Sequence, residues 1–179
     1  MMKNIYLLFL CISFTGISQE KYLTKSGVLN FEASVEAFEE IKASNSNVTA
    51  IFNAANGQIA ALALVKGFRF KNALMEEHFN ENYAESDQYP KAIFKGELVG
   101  FSLDSLQTSY TINGTLSFHG ITKPLENVSV EVKSSGNSFT LQGTFEITPN
   151  DFDIEIPKIV SSKIADSVGV VFEFELTEK

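Results

Sequence analysis

The stretch GTLSFHGITKPLENVSVEV, residues 114–132, joins two runs of alternating apolar and polar residues through a histidine and a glycine. Alternation with a period of two predicts antiparallel strands that turn one face to the core and the other to water. His119 is one of only two histidines in the chain. It is either a catalytic or metal-binding residue at a strand end, or part of a turn that fastens the two strands.

We favour the turn, because Gly120 can adopt a backbone conformation that other residues avoid, and Pro124 is tolerated where a strand begins. The predicted turn motif consists of His119, Gly120, Thr122, Lys123 and Pro124. A metal site needs three or more converging ligands, and the second histidine, His78, is distant in sequence. No metal site and no catalytic residue are therefore predicted.

The same period of two continues outward from this stretch. It is strict at residues 138–147 and 170–176, and weaker strands are expected at residues 27–33, 47–53, 58–70 and 91–101. Turn signals lie at residues 54–57, 118–124 and 134–137. The pattern predicts a mainly β protein, an antiparallel barrel of about eight strands with one or two short helices, because closure removes exposed sheet edges. A β-sandwich is the alternative.

Two segments depart from the strand pattern. Residues 72–90 carry apolar side chains at helical spacing, which predicts a short helix from about Ala73 to Tyr83 that ends before Pro90. Residues 34–43 fit either a second short helix capped by Ser34 or a strand.

The first 18 residues have the composition of a secretory signal peptide: Lys3, then an apolar run, then small residues before a cut at Gln19. A retained N-terminal anchor is the alternative. We predict one domain over residues 19–179 in the periplasm or outside the cell. Cys11 is the only cysteine and lies in the signal, so the mature domain has no disulfide and no thiolate site. The net charge of −8 disfavours binding to nucleic acid.

Three segments together resemble the YceI-like family of bacterial exported proteins with a lipocalin-like barrel. They are His78-Phe79 on the predicted helix, Tyr89-Pro90 before a strand that contains Phe94, and Gly-x-Leu-x-x-His-Gly-x-Thr-Lys-Pro over residues 114–124. The pair Asp151 and Phe152 also matches a family segment. The resemblance implies a hydrophobic tunnel inside the barrel that holds a polyisoprenoid or a quinone-like lipid.

The residues themselves point to an apolar interior. Inward strand positions and the helix give a predicted lining of Phe68, Phe70, Met75, His78, Phe79, Phe94, Phe118 and Phe145, with His78 near a ligand headgroup. The small residues Ala61, Ala63, Ala92, Gly96, Gly114 and Gly143 suggest free space, although tight strand packing needs small residues as well.

We therefore expect an exported, non-enzymatic protein that sequesters a hydrophobic lipid and needs no other cofactor. The alternatives are a metal-dependent or histidine-based enzyme on the same barrel, and a structural or partner-binding module of the cell envelope. The oligomeric state is left open, with a dimer among the options, as is peripheral contact with a membrane.

Overall fold

The computed structural model describes residues 20–179. The predicted signal peptide and Cys11 lie outside the described residues. The strands are β1 (Lys21–Ser34), β2 (Lys42–Asn53), β3 (Gln58–Leu64), β4 (Arg69–Phe70), β5 (Lys91–Leu98), β6 (Ser109–Phe118), β7 (Ile121–Ser135), β8 (Ser138–Ile147) and β9 (Ile164–Glu178). Within this range, no helix is both long enough and apolar enough to cross a bilayer.

The strands form one closed antiparallel barrel. Each long strand pairs with its neighbours in the order β1-β9-β8-β7-β6-β5-β3-β2, and β1 also pairs with β2, which closes the ring. The two-residue strand β4 adds only a short pairing to β2. The eight-stranded barrel is confirmed, and the sandwich is excluded because all the strands of residues 20–179 belong to a single sheet.

The predicted inward faces of the late strands are also confirmed. Buried positions alternate with exposed ones along β7, β8 and β9. The buried side chains include Val128, Val130, Val132, Phe139, Leu141, Val170, Phe172, Phe174 and Leu176. Because one face of each of these strands is exposed to water, apolar and polar residues alternate along their sequences.

The helix over residues 73–83 is confirmed as a continuous helical segment. An α-helix, α1 (Ala73–His78), runs directly into a π-helical turn, Phe79–Tyr83. The Asn72 side chain caps the segment by accepting a hydrogen bond from the Leu74 amide at 2.9 Å.

The alternative of a helix over residues 34–43 is wrong. β1 continues to Ser34, a tight loop follows, and β2 starts at Lys42. The Ile41 amide donates to the Ser34 hydroxyl at 3.0 Å, and the Ala33 amide donates to the Ile41 carbonyl at 2.9 Å. Ser34 therefore closes a loop between paired strands instead of capping a helix.

The predicted strand over residues 58–70 is shorter than expected. β3 ends at Leu64, and a 3-10 turn, Val65–Gly67, separates it from β4. The side-chain amide of Asn45, a buried residue, donates to the Leu64 carbonyl at 3.0 Å. A Cβ on Gly67 would lie 2.6 Å from that amide nitrogen, so the glycine makes room for the bond that ends the strand.

One end of the barrel is filled by rings, which we call the aromatic plug. Its members are Tyr22, Phe52, Phe101, Tyr110 and Phe139, with successive ring centroids 4.7 to 5.5 Å apart. Burial, followed by the charges of Glu178 and Glu20, raises the pKa of the Tyr22 phenol above its ordinary value. The plug closes this end mainly with edge-to-face aromatic contacts.

The opposite end of the barrel is splayed. β7 pairs with β8 only from Val130 to Ser135, whereas the last residues of β8 pair with β9 alone. Residues 148–163, which we call the capping segment, fold over this end. Phe152 and Ile154 of the capping segment pack with Leu116 of β6 in a small core of their own. This splayed end, the mouth, contains the candidate site.

Candidate ligand-binding cavity

A cavity of about 430 Å³ opens at the mouth of the barrel. Four parts of the chain surround it: the strand walls, the loop between β1 and β2, the helical segment 73–83 and the capping segment. Its apolar lining includes Leu29, Phe31, Ala33, Phe38, Ile41, Phe68, Phe70, Met75, Phe79, Ala92, Leu116, Phe118, Phe145, Ile147, Phe152, Ile154, Ile156, Val160, Ile164, Val168 and Val170. An apolar, concave site of this size is typical of small-molecule binding sites.

The helical segment is held over the cavity by aromatic contacts. The Phe79 ring lies 5.4 Å from Phe31, 5.9 Å from Phe68 and 5.2 Å from Phe70, measured between ring centroids. The carboxylate of Glu76 accepts from the Phe70 amide at 3.1 Å and pairs with Arg69 at 3.0 Å. The segment is therefore anchored at β4 and lies across the mouth as a lid.

Polar groups are few along the cavity. Among the side chains that border it, the polar or charged ones are Glu39, His78, Tyr83 and Lys163. Glu39 belongs to the loop between β1 and β2, and its carboxylate accepts from the Asn72 side chain at 3.4 Å. All four come from segments at the mouth, so a ligand in this cavity meets polar groups at one end only.

Seven of the eight predicted lining residues border this cavity, namely Phe68, Phe70, Met75, His78, Phe79, Phe118 and Phe145. His78 is solvent-exposed at its border. Phe94 borders a second, deeper cavity of about 60 Å³ instead, which Phe145 also borders. The structure thus brings the predicted side chains together around two adjoining spaces.

The inward glycines do not provide the free space that their size suggested. A Cβ on Gly96 or Gly114 would lie 2.7 to 2.8 Å from Cζ of Phe94, and one on Gly143 would lie 2.7 Å from Cζ of Phe172. Each glycine is therefore covered by a phenylalanine ring. Ala61, Ala63 and Ala92, by contrast, do border the deeper cavity.

His119 lies at the mouth and connects three segments. Its Nδ1 donates to the Phe152 carbonyl of the capping segment at 2.7 Å, since a carbonyl can only accept. Its Nε2 lies 2.9 Å from the Glu85 carboxylate, which follows the helical segment. The Tyr89 ring packs edge-on against the imidazole, with centroids 4.5 Å apart. The histidine therefore has a structural role, but its ring bonds to the capping segment and to Glu85 and not to the backbone of its own hairpin.

The turn itself is shorter than predicted. Only His119 and Gly120 form it, with φ of 48° and 76°, and the ladder resumes where Phe118 pairs with Ile121. Two successive positive φ angles match the two-residue hairpin turn whose twist fits the flanking strands. Thr122, Lys123 and Pro124 already belong to β7 and pair with Ser117, Leu116 and Thr115.

The contacts of His119 bear on the alternative of a metal-dependent or histidine-based enzyme. Both ring nitrogens are engaged, one with the Phe152 carbonyl and one with Glu85. Across residues 20–179, no three His, Cys, Asp or Glu side chains group in a way that could hold a metal ion. His119 therefore has no free ring nitrogen to offer to a metal ion or a substrate.

The comparison with known proteins agrees with this architecture. The family model described as YceI-like domain matches residues 21–176, which is most of the chain. The chain belongs to the YceI-like family. No curated protein sequence matches the chain.

Three solved structures show the same fold. A polyisoprenoid binding domain from Saccharophagus degradans is 15% identical, with a TM-score of 0.76 over 90% of this chain and 99% of that one. BcnA from Burkholderia cenocepacia is 18% identical, with a TM-score of 0.69 over 84% and 96%. The YCEI protein of Campylobacter jejuni is 16% identical, with a TM-score of 0.65 over 79% and 87%.

The segments that carried the resemblance to the YceI-like family converge at the mouth. His119 bonds to the backbone of Phe152, Tyr89 packs on both His119 and Gly120, and His78 borders the cavity. A Cβ on Gly120 would lie 2.7 Å from the Tyr89 ring. The family-like motifs in this chain therefore build the rim of the cavity.

Sequence reasoning missed the lining that the capping segment supplies, including Phe152, Ile154, Ile156, Val160 and Lys163. It also missed Phe31 on β1, whose ring packs against the rings of Phe68, Phe70 and Phe79. Phe31 falls within the predicted strand over residues 27–33, so the alternation of that strand could have shown that its side chain points inward. The capping segment has 3-10 turns and no long regular element, so it has no periodic pattern, and its one signal was the family-like pair Asp151 and Phe152.

Proposed function

We propose that this protein binds one single-chain hydrophobic lipid, an isoprenoid or a quinone-like molecule, with the tail in the 430 Å³ cavity. The observation that carries the proposal is the cavity itself, which is apolar along its length and polar only at the mouth. Burial of an apolar tail there contributes about 25 cal/mol for each Å² removed from water. The polar rim leaves the headgroup in contact with solvent.

The likeness to known structures supports the ligand class. The Saccharophagus degradans structure is described as a polyisoprenoid binding domain, and this chain has the same fold and belongs to the YceI-like family. We infer sequestration and not catalysis, because the ring nitrogens of His119 are both engaged in holding the mouth together.

The headgroup would meet His78, Tyr83, Lys163 and Glu39 at the mouth. His78 is exposed there and can hydrogen-bond a hydroxyl or a quinone oxygen. The set includes one acidic and one basic side chain, which fits a polar, uncharged headgroup better than a multiply charged one.

The setting of this function would be the periplasm or the cell exterior. Residues 1–18 have a signal-peptide composition, and a carrier outside the cytoplasm would collect its lipid by touching a membrane at its mouth. Exposed apolar side chains around the mouth, among them Phe38 and Ile159, support this contact.

Organic extraction of the purified, exported protein followed by mass spectrometry tests the proposal. We expect one single-chain lipid per barrel, and an intact protein mass that corresponds to a chain beginning at Gln19. A variant that fills the cavity, Ala92→Phe, should keep its fold but lose the lipid, because Ala92 borders both cavities.

The matched control is Ala60→Phe, which adds the same ring to an exposed position of β3. It should retain the lipid. A folded wild-type protein that carries no lipid, and takes up none when incubated with an isoprenoid alcohol, would overturn the proposal.

A further inference from the structure

The cavity limits the length of the tail that it can hold. Benzene, with six carbon atoms, occupies an engineered apolar cavity of about 150 Å³, or about 25 Å³ per carbon. At that packing, the 430 Å³ cavity accommodates roughly 17 carbon atoms. This is the capacity for three isoprene units and part of a fourth.

The floor of the cavity is fixed. Phe145, Leu116, Leu29 and Ala92 border both the main cavity and the deeper one, so they form the boundary between the two. The deeper cavity, at about 60 Å³, adds room for roughly two carbons.

Phenylalanine rings that pack directly onto glycine residues surround this deeper cavity. The Phe94 ring lies over Gly96 and Gly114, which are partners across the β5–β6 ladder. The Phe172 ring lies over Gly143, and a Cβ on Gly27 would lie 2.6 Å from the Phe174 ring. Since the close approach of each ring depends on a missing side chain, these rings have well-defined positions and little freedom to retreat.

Below the deeper cavity the barrel is filled by the aromatic plug. Phe52 is completely buried there, and its ring contacts Phe101 and Phe139 edge-to-face at 5.1 and 5.3 Å between centroids. A tail that reaches the floor therefore has no further space ahead of it, and additional length stays outside the mouth.

We infer that binding of a single-chain lipid strengthens with tail length only up to three to four isoprene units, or a linear chain of similar carbon count, and that longer tails gain little more. This inference rests on the proposed function and adds its length limit. Phe145 is the specificity-determining residue, because its side chain forms part of the floor.

The test is a competition among isoprenoid alcohols of two, three, four and eight units, supplied together in detergent micelles and counted on the protein by native mass spectrometry. We expect about tenfold or more preference for three units over two, from the apolar area of one further unit. We expect about threefold or less between four and eight units, since the added units find no cavity.

A pair of variants on one strand tests the floor. Phe145→Leu should shift the preference toward a tail one unit longer. Phe139→Leu removes the same ring from β8, but Phe139 belongs to the plug and borders neither cavity, so the preference should not change. If the thermal melt shows that Phe145→Leu does not fold, Phe145→Met, which also removes the ring but keeps a longer side chain, replaces it.

A preference of about tenfold or more for eight units over four would overturn the length limit while leaving the proposed function intact. An equal shift in both phenylalanine variants would overturn the role of Phe145. Binding of none of the four alcohols would contradict the proposed function itself.

Discussion

At the scale of single residues, the mouth depends on His119 and Gly120. Both have positive φ angles, which is uncommon for a histidine. The conformation is supported from outside the hairpin, by the Phe152 carbonyl and the Glu85 carboxylate on the ring and by the Tyr89 ring beside the glycine. The turn is therefore specified by tertiary contacts as much as by its own sequence.

Substitution of Gly120 by alanine should destabilise the protein through two separate effects. The positive φ of 76° costs about 1 kcal/mol for a residue with a Cβ. The new Cβ would also lie 2.7 Å from the Tyr89 ring, which adds a comparable loss from overpacking, about 1–3 kcal/mol. Urea denaturation measures the sum.

The matched control is Gly136→Ala in the β7–β8 hairpin. Gly136 has a φ of 57°, and no other side chain or backbone segment lies within 4 Å of the position that a Cβ would take. Only the conformational loss is therefore expected. Equal losses of stability in the two variants would show that the Tyr89 contact does not constrain the turn.

At the scale of elements, the sequence predicted the strands that have one wet face. The alternation along β8 and β9 is a direct consequence of facing water on one side and the core on the other. The helical segment was also predictable, since its apolar spacing and the Asn72 cap are local features.

The remaining elements depend on contacts that are distant in sequence. The apolar residues of segment 34–43 have helical spacing, but a helix of this length is not stable on its own. The pairing between β1 and β2 stabilises the segment more than such a helix would. The capping segment has no regular spacing of apolar residues. Its position depends on contacts that are distant in sequence, such as the bond between Phe152 and His119, 33 residues apart. The floor of the cavity depends on cross-strand register, which composition alone does not fix.

The helical segment should open independently of the barrel. α1 has six residues, and Asn72→Ala removes the cap bond to the Leu74 amide, a loss of about 1 kcal/mol. Hydrogen exchange of the amides in residues 74–83 should become about fivefold faster. Exchange in β8 and β9 should not change.

Asn56→Ala is the control, because the Asn56 side chain accepts a similar bond from the Gln58 amide at 3.1 Å in the β2–β3 turn. Its effect should stay within that turn. Uniformly faster exchange throughout the barrel in Asn72→Ala would show that the lid is not a separate unit.

At the scale of the whole molecule, the net charge and the exposed apolar side chains have opposite effects on contact with a membrane. The net charge is −8, which favours solubility and repels anionic surfaces. The mouth nevertheless exposes large apolar side chains from the β1–β2 loop, the helical segment and the capping segment: Phe38 at 43%, Leu74 at 56% and Ile159 at 87%. Phe38 borders the cavity, and Leu74 and Ile159 each adjoin a residue that does.

We therefore expect the mouth to bind phosphatidylcholine vesicles in a flotation assay, and Ile159→Glu to reduce the bound fraction severalfold by removing apolar area and adding charge. Replacing about a third of the lipid with an anionic species should weaken binding further, given the net charge of the protein.

Leu106→Glu is the control, since Leu106 is 45% exposed in the loop between β5 and β6, at the plugged end. It should leave vesicle binding unchanged. An equal loss in both variants would contradict an orientation with the mouth toward the membrane.

The two ends of the described chain meet at the plugged end of the barrel. The Lys179 amide donates to the Lys21 carbonyl at 3.0 Å, so the described chain starts and finishes side by side at the base of the barrel. An affinity tag, a solid support or a fused protein attached at Lys179 would therefore hold the barrel by its plugged end, with the mouth pointing away from the attachment. Immobilised in that way, the protein could serve as a sensor surface with every cavity turned toward the sample.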